Sequence, residues 1–306
     1  MNEIDKYSSV TWYIDEIKKL IVNKNTLPKN FEKKYREKEC IFSNYLVSLG
    51  IQLECFSSLV SESIFENFIV ASYTDLEKLQ TLKYNINDII PLQFKTIYNK
   101  FSKNNINNLI LQKSELSVCP YCNENYIINR GSNHTSAQLD HFWNKKNNPI
   151  FSICLYNLIP SCYVCNHVKG LMPLNISPFN PNIDRNKFKI TYSPTSAEFL
   201  TNNNSTNIKF ITEGDDGEKI MQDIEQLKIN SSYMFHNDYI EELLKKAYIY
   251  NKSQIKEIFG LFGDIVSSEE ELYRLIFGNY IDYENLNSRP LSKLTQDILK
   301  ELKIIK

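Results

Sequence analysis

Apolar side chains recur with a helical period over the first hundred residues. Three stripes share this spacing: Ile14, Ile17, Leu20 and Ile21; Phe42, Tyr45, Leu46 and Leu49; and Ile64, Phe65, Phe68 and Ile69. Gly50 follows the second stripe, where it is expected as the C′ residue of a helix. Thr74 and Glu77 have the spacing of a capping box and predict a further helix start. We therefore expect packed helices in this part of the chain, with the stripes as packing surface.

Short alternating and β-branched runs replace this period after residue 187. The segments 188–192 and 208–212 read FKITY and IKFIT, and a polar loop at 201–207 separates them, so they predict a hairpin or two sheet strands. The acidic segment EGDDGE at 213–218 is expected to be a solvated turn. The helical period returns after residue 221 in two stripes: Tyr239, Leu243, Leu244, Ala247 and Tyr248; and Leu291, Leu294, Ile298 and Leu302.

These patterns divide the chain into four parts. A helical N-terminal region (1–113) precedes a centre rich in cysteine, histidine and proline (114–182). A β-hairpin or connecting segment (183–220) leads to a helical C-terminal region (221–306). The predicted fold class is α+β and mostly helical. With 306 residues, 42% of them hydrophobic and 23% charged, the chain can form a sizeable core without disulfides.

The sequence contains no segment that predicts a membrane or secreted protein. No apolar run approaches the roughly 18 residues of a membrane span, and the N-terminus has no pattern of a signal peptide. We therefore expect no membrane association and a cytoplasmic location. The abundance of Asn, Ile and Lys is typical of a bacterium with an AT-rich genome.

The net charge of −1 predicts no partner, but its distribution is uneven. Between Lys95 and Gly170, eight Lys and Arg residues face three acidic ones, a local excess of five positive charges. Such an excess is what a phosphate-binding surface needs, although a Lys-rich composition also produces it by chance.

Two CxxC pairs carry the strongest chemical signal. They are Cys119 with Cys122 and Cys162 with Cys165. Four thiolates satisfy the tetrahedral coordination of zinc, and in an intracellular protein this pattern favours metal over disulfides. A thioredoxin-like redox role would need a single CxxC at a strand-to-helix junction. We predict one structural zinc ion, with a further element inserted between the pairs, because 39 residues separate them.

Further chemistry-bearing residues lie in and after this insert. In chain order they are Asp140, His141, Asn157, Asn166 and His167. Together with the two CxxC pairs and the following Lys-Gly, they resemble the motif of the HNH nuclease superfamily. The resemblance covers roughly residues 115–180. It implies a ββα-metal fold that contains a structural four-cysteine zinc site.

The resemblance also implies roles for single residues. His141 is the expected general base, and its imidazole suits proton transfer near neutral pH. Asn157 is the second catalytic-motif residue and stabilises the loop that carries the base. Asp140 and Asn166 are expected to bind a catalytic Mg²⁺ or Mn²⁺, because hard cations prefer oxygen ligands. His167 is the alternative ligand to Asn166 and the one the family pattern favours less.

Three lysines near the motif are candidates for nucleic-acid binding. Lys145 and Lys146 follow the base closely, and Lys169 follows the last motif residue. Ammonium groups there would contact phosphates. For Lys145 and Lys146 an ordinary solvated loop is the open alternative.

The leading functional hypothesis is a metal-dependent endonuclease that acts on DNA. An RNA target such as tRNA, and a zinc-stabilised nucleic-acid- or protein-binding module without catalysis, are the alternatives. The order of helical flank, nuclease motif and C-terminal helices is similar to HNH proteins of bacterial anti-phage systems, such as the nuclease component of Septu-type defence. That likeness implies a separate ATPase subunit, since the chain has no P-loop motif. The helical flanks are the expected place for such a partner or for self-association.

Overall fold

The computed structural model describes residues 9–22, 28–131, 134–195 and 206–305. It confirms an α+β protein that is mostly helical. The strands of the described residues form two separate antiparallel pairs. None of the described helices is long and apolar enough to cross a membrane.

The N-terminal region is helical, as its stripes predict. Its helices are α1 (Thr11–Ile21), α2 (Pro28–Ser48), α3 (Ile64–Ile69), α4 (Tyr73–Leu79), α5 (Ile89–Tyr98) and α6 (Ile106–Ser114). The side chains of Ile17, Leu46 and Phe65, one from each predicted stripe, have no exposed surface. Gly50 follows α2 with a φ of +84°, the left-handed conformation that glycine adopts without strain.

The predicted capping box at Thr74 is wrong. Helix α4 is capped two residues earlier, where the Ser72 hydroxyl accepts a hydrogen bond from the backbone N–H of Asp75. Ser72 and Asp75 have the same three-residue spacing as Thr74 and Glu77. Both pairs are chemically competent, so the pattern alone does not choose between them.

The central region contains a strand, a second strand and a helix in direct succession. Strand β1 (Ala137–His141) pairs antiparallel with β2 (Leu158–Cys162), and α7 (Tyr163–Lys169) follows β2 without a loop. In the register, Ala137 lies opposite Cys162. The second cysteine pair is therefore held beside the start of the strand that ends in Asp140 and His141.

The two β-branched runs form the second antiparallel pair, which confirms the hairpin prediction. Strand β3 (Phe188–Pro194) pairs with β4 (Thr206–Thr212). Most of the polar loop at 201–207 lies outside the described residues. The acidic segment at 213–218 is not a turn, because it opens α8 (Gly214–Gln226). Its Asp215 and Asp216 stand in the first helical turn, where carboxylates meet the positive end of the helix dipole.

Parts of the C-terminal helical region contact the loop of the first cysteine pair. The helices of this region are α9 (Ile229–Tyr233), α10 (Asn237–Ile249), α11 (Lys252–Phe262), α12 (Glu269–Phe277) and α13 (Ser292–Glu301). The Tyr233 hydroxyl donates to the carbonyl of Cys122 at 2.7 Å. The buried side chain of Asn123 donates to the carbonyl of Leu286 at 2.7 Å and accepts from the N–H of Lys293 at 3.0 Å. The cysteine-rich centre and the C-terminal region therefore share a hydrogen-bonded contact.

Candidate functional site

The four predicted zinc ligands lie together. The sulfur atoms of Cys119, Cys122, Cys162 and Cys165 are all within 4.8 Å of one another, and all four residues are buried. Tetrahedral zinc with Zn–S bonds of about 2.3 Å places sulfur atoms roughly 3.8 Å apart. The cluster is thus positioned to bind a metal ion, and its four thiols match the donor set of a structural zinc.

Amide groups surround these sulfur atoms. The side-chain amide of Asn125 lies 3.7 Å from the sulfur atoms of both Cys122 and Cys162, one from each pair. The backbone N–H of Cys165 donates to the Cys162 sulfur at 3.4 Å, as an N-cap interaction of α7. N–H donors around metal-bound thiolates stabilise their negative charge and fix their orientation. Asn125 carries no residue-type signal that would have singled it out in the sequence.

A cleft of about 390 Å³ lies beside β1 and α7. Asp140, His141 and Asn166 all line it, as does Lys145. Two further lining residues come from the N-terminal helical region: Tyr98 at the end of α5 and Asn107 on α6. Four of the predicted site residues therefore meet in one concave space, and the N-terminal region forms one of its walls.

His141 is oriented as a proton acceptor. Its side chain is nearly buried, and Nε2 lies 3.1 Å from the backbone carbonyl oxygen of Ser152. A carbonyl oxygen can only accept, so Nε2 carries the proton and Nδ1 retains its lone pair. Burial, together with the positive charge of Lys145, lowers the pKa of His141 to about 3. The imidazole is therefore neutral at physiological pH.

Tyr98 and Lys145 pack over this histidine. The ring centroids of Tyr98 and His141 are 4.4 Å apart, and the rings meet at 70°. The Lys145 ammonium lies 4.3 Å from the centroid of the Tyr98 ring, within cation–π distance. Burial raises the pKa of Tyr98 to about 12, so its hydroxyl stays protonated. No sequence pattern links Tyr98 to the motif, since it lies more than forty residues before His141.

Asp140 accepts hydrogen bonds at both carboxylate oxygens. The Tyr121 hydroxyl donates to Oδ2 at 2.6 Å, and the Lys169 ammonium donates to Oδ1 at 3.0 Å. The same ammonium donates to the backbone carbonyl of His141 at 2.9 Å. Lys169 has no exposed surface, so the prediction that it contacts nucleic acid does not fit this structure. Lys169 instead forms a buried ion pair with Asp140, and its bond to the His141 carbonyl stabilises the end of β1.

Asn157 holds the segment after His141. Its Oδ1 accepts from the N–H of Trp143 at 2.8 Å, and its Nδ2 donates to the carbonyls of Trp143 at 3.1 Å and Phe151 at 2.9 Å. Phe151 belongs to the short 3-10 turn that also contains Ser152, the hydrogen-bond partner of His141. Asn157 is fully buried, so it can position the segment that follows His141 but is not exposed to a substrate.

The two candidate ligands after Cys165 occupy different environments. Asn166 lines the cleft, where its amide donates to Oε1 of Gln138. His167 is exposed, and its ring stacks on Tyr163 with centroids 5.5 Å apart. His167 is not among the cleft-lining residues. Consecutive helical residues differ by about 100° in direction, which explains the separation.

The cleft contains the oxygen donors that a hard cation prefers. Asp140 supplies a carboxylate and Asn166 an amide, and the buried Oδ1 of Asn107 has no hydrogen-bond partner among the described residues. Each carboxylate oxygen has two lone pairs, so Asp140 keeps acceptor capacity beside its bonds to Tyr121 and Lys169. Oxygen donors of these kinds are the ligands that Mg²⁺ and Mn²⁺ prefer.

Comparisons with known proteins identify no relative of this chain. No family model, curated protein or solved structure matches this chain. The resemblance to the HNH superfamily therefore depends on the motif residues of the sequence.

Proposed function

We propose that this protein is a metal-dependent endonuclease of the HNH type that hydrolyses phosphodiester bonds, with DNA as its substrate. The observation that carries the proposal is the cleft in which a neutral His141 lies beside Asp140 and Asn166, next to four clustered cysteines. A base, oxygen ligands for a cation and a rigid support are the parts that phosphodiester hydrolysis needs.

His141 acts as the general base in this proposal. Its Nδ1 takes a proton from the attacking water, while the bond from Nε2 to the Ser152 carbonyl keeps the ring in the required tautomer. Asn157 fixes the peptide segments on both sides of that bond. Because the nucleophile is water, the reaction does not need the 2′-hydroxyl of RNA.

Asp140 and Asn166 would hold the catalytic cation. Bound Mg²⁺ or Mn²⁺ supplies stabilisation of the negative charge that develops on the phosphate and on the leaving oxygen. Tyr121 and Lys169 orient the Asp140 carboxylate from the protein side. The four cysteines take no part in the chemistry, and a zinc ion bound to them would hold β2 and α7 against the loop of the first CxxC pair.

We also propose that the nuclease is the effector of a bacterial anti-phage system. This part of the proposal is supported by the similarity in chain order to the nuclease component of Septu-type defence. It implies a separate ATPase subunit in the bacterial cytoplasm. Phage plating on cells that express the native locus, with and without His141→Ala, tests it, and equal plating efficiencies would refute it.

The two residues after Cys165 provide a paired test of the cation site. Asn166→Ala removes a cleft-lining oxygen donor and is expected to lower the Mg²⁺-dependent cleavage rate by about 10- to 100-fold. His167→Ala removes an exposed ring outside the cleft and is expected to retain most activity. Initial rates over a range of Mg²⁺ concentrations measure both effects. If His167→Ala loses activity and Asn166→Ala keeps it, the cation ligand after Cys165 is His167 rather than Asn166.

Mild chelation separates the two metals. Oxygen ligands hold Mg²⁺ weakly, whereas four thiolates hold zinc tightly. Brief treatment with a chelator is therefore expected to abolish cleavage while the zinc content, measured by atomic spectroscopy, stays constant. Added Mg²⁺ or Mn²⁺ should restore the rate. Cleavage that persists without any divalent cation in solution would contradict the proposed site.

A further inference from the structure

We propose that Lys95, Lys100 and Lys103, in the N-terminal helical region, form a phosphate-binding surface that holds the DNA backbone beside the cleft. The proposal deepens the proposed function, because it takes DNA as the ligand. It assigns substrate binding to residues outside the segment that resembles HNH nucleases.

The surface begins at the cleft. Lys95 lies on α5 three residues before Tyr98, so the two residues share a helix face. Tyr98 lines the cleft and carries the Lys145 ammonium over its ring. Burial and the positive charge of Lys95 both lower the pKa of Lys145. Ammonium groups without a carboxylate partner among the described residues favour a bound anion.

The surface continues in a second cavity of about 470 Å³. Lys100, Lys103 and Lys19 line it. The Lys100 ammonium donates to the carbonyl of Leu20 at 3.2 Å, which anchors it at the C-terminal end of α1. Lys19 is paired with Glu16 at 2.6 Å, so Lys100 and Lys103 provide the net positive charge.

Some residues that line the cleft are close in the sequence to residues that line the second cavity. Lys100 follows Tyr98 by two residues, so their Cα atoms are at most about 7.6 Å apart. Lys103 precedes Asn107, which lines the cleft, by four residues. Since one strand carries a phosphate per roughly 3.4 Å of axis, we expect a single backbone to reach from the cleft to Lys100 and Lys103.

Acidic residues are missing from two of the segments that form this surface. Residues 89–114 contain four lysines and no Asp or Glu, and residues 141–183 contain three lysines and no Asp or Glu. The carboxylate of Asp140, which lines the cleft, is already paired with the buried Lys169. A polyanion approaching His141 along this path would meet cations and no unpaired carboxylate from these segments.

Binding measurements on the full-length His141→Ala protein test the surface without cleavage. The double substitution Lys100→Gln with Lys103→Gln is compared with Lys33→Gln with Lys38→Gln, two exposed lysines on α2. Fluorescence anisotropy with a duplex DNA and a matched RNA duplex gives the dissociation constant at several NaCl concentrations. Circular dichroism verifies that both variants keep the parent melting temperature.

Loss of two phosphate contacts is expected to reduce the slope of log K against log [salt] for duplex DNA by about 1.8. Affinity at low salt should fall at least about tenfold, and the α2 pair should leave the slope unchanged. An equal effect of the α2 pair, or no effect of the Lys100 and Lys103 pair, would overturn the proposal.

The remaining outcomes separate this proposal from the proposed function. An unchanged DNA slope, for a protein whose wild type cleaves DNA, would refute the surface and leave the nuclease standing. A reduced slope in a protein whose wild type cleaves no nucleic acid would support the surface and refute the nuclease. A reduced slope for RNA alone would overturn DNA as the ligand.

Discussion

Replacing His141 with Ala is expected to lower the rate of DNA hydrolysis by about 10²- to 10⁴-fold, the usual contribution of a general base. The neutral imidazole is placed for one proton transfer, and no other histidine lines the cleft. Zinc content and DNA binding should be unchanged, because His141 contacts neither the cysteines nor the proposed phosphate surface. The measurement is the initial rate of plasmid cleavage, together with the melting curve.

The matched control is His134→Ala, which removes an exposed histidine outside the cleft and should be neutral. His141 also packs against Tyr98, so its loss will cost some stability. The variant His141→Asn fills more of that space but has no imidazole nitrogen to accept a proton, and it should be equally inactive. A fully active His141→Ala protein would refute the mechanism, and an unfolded His141→Asn protein would assign the residue to packing.

Replacing Cys162 with Ser is expected to abolish zinc binding and unfold the centre of the protein. Structural zinc contributes on the order of 10 kcal/mol in small zinc-dependent domains, comparable to the whole stability of a typical domain. Ser is a good N-cap residue, so the substitution can retain the cap of α7 and remove chiefly the metal ligand. Metal analysis should fall from about one zinc per chain to none.

In the Cys162→Ser protein, the loss of stability should extend to the C-terminal helices. Tyr233 and Asn123 join them to the loop of the first cysteine pair, so amide hydrogen exchange should rise in α9 and α13 as well. Cys40→Ser, which removes an exposed thiol outside the cluster, is the control and should leave zinc and exchange unchanged. A zinc-free Cys162→Ser protein with the amide hydrogen exchange of the wild type and full activity would refute the structural role of the zinc site.

Local patterns predict the parts of this fold that depend on neighbouring residues. The CxxC spacing brings two sulfur atoms of one turn together, and two such pairs predict a four-cysteine site. The structure confirms the predicted cluster. The apolar period predicts the helices for the same reason. The acidic segment at 213–218 opens a helix where the pattern predicts a turn, because carboxylates favour both solvated turns and the first turn of a helix.

The burial of Lys169 was predictable in principle. It follows Cys165 by four residues, so the two side chains share one face of α7, and that face is turned towards the cysteine cluster. A charged residue on an inward face needs a partner, which Asp140 provides. The wall formed by Tyr98 and Asn107 was not predictable, because it depends on how α5 and α6 pack against β1 rather than on any local pattern.

The most direct test of the nuclease assignment is an incubation of the purified protein with supercoiled plasmid, single-stranded DNA and total RNA, with and without Mg²⁺ or Mn²⁺. We expect divalent-cation-dependent cleavage of DNA by water, with ends that carry no cyclic phosphate. Failure to cleave any of these substrates with either cation would contradict the assignment, and cleavage of RNA alone to 2′,3′-cyclic phosphate ends would contradict the proposed mechanism.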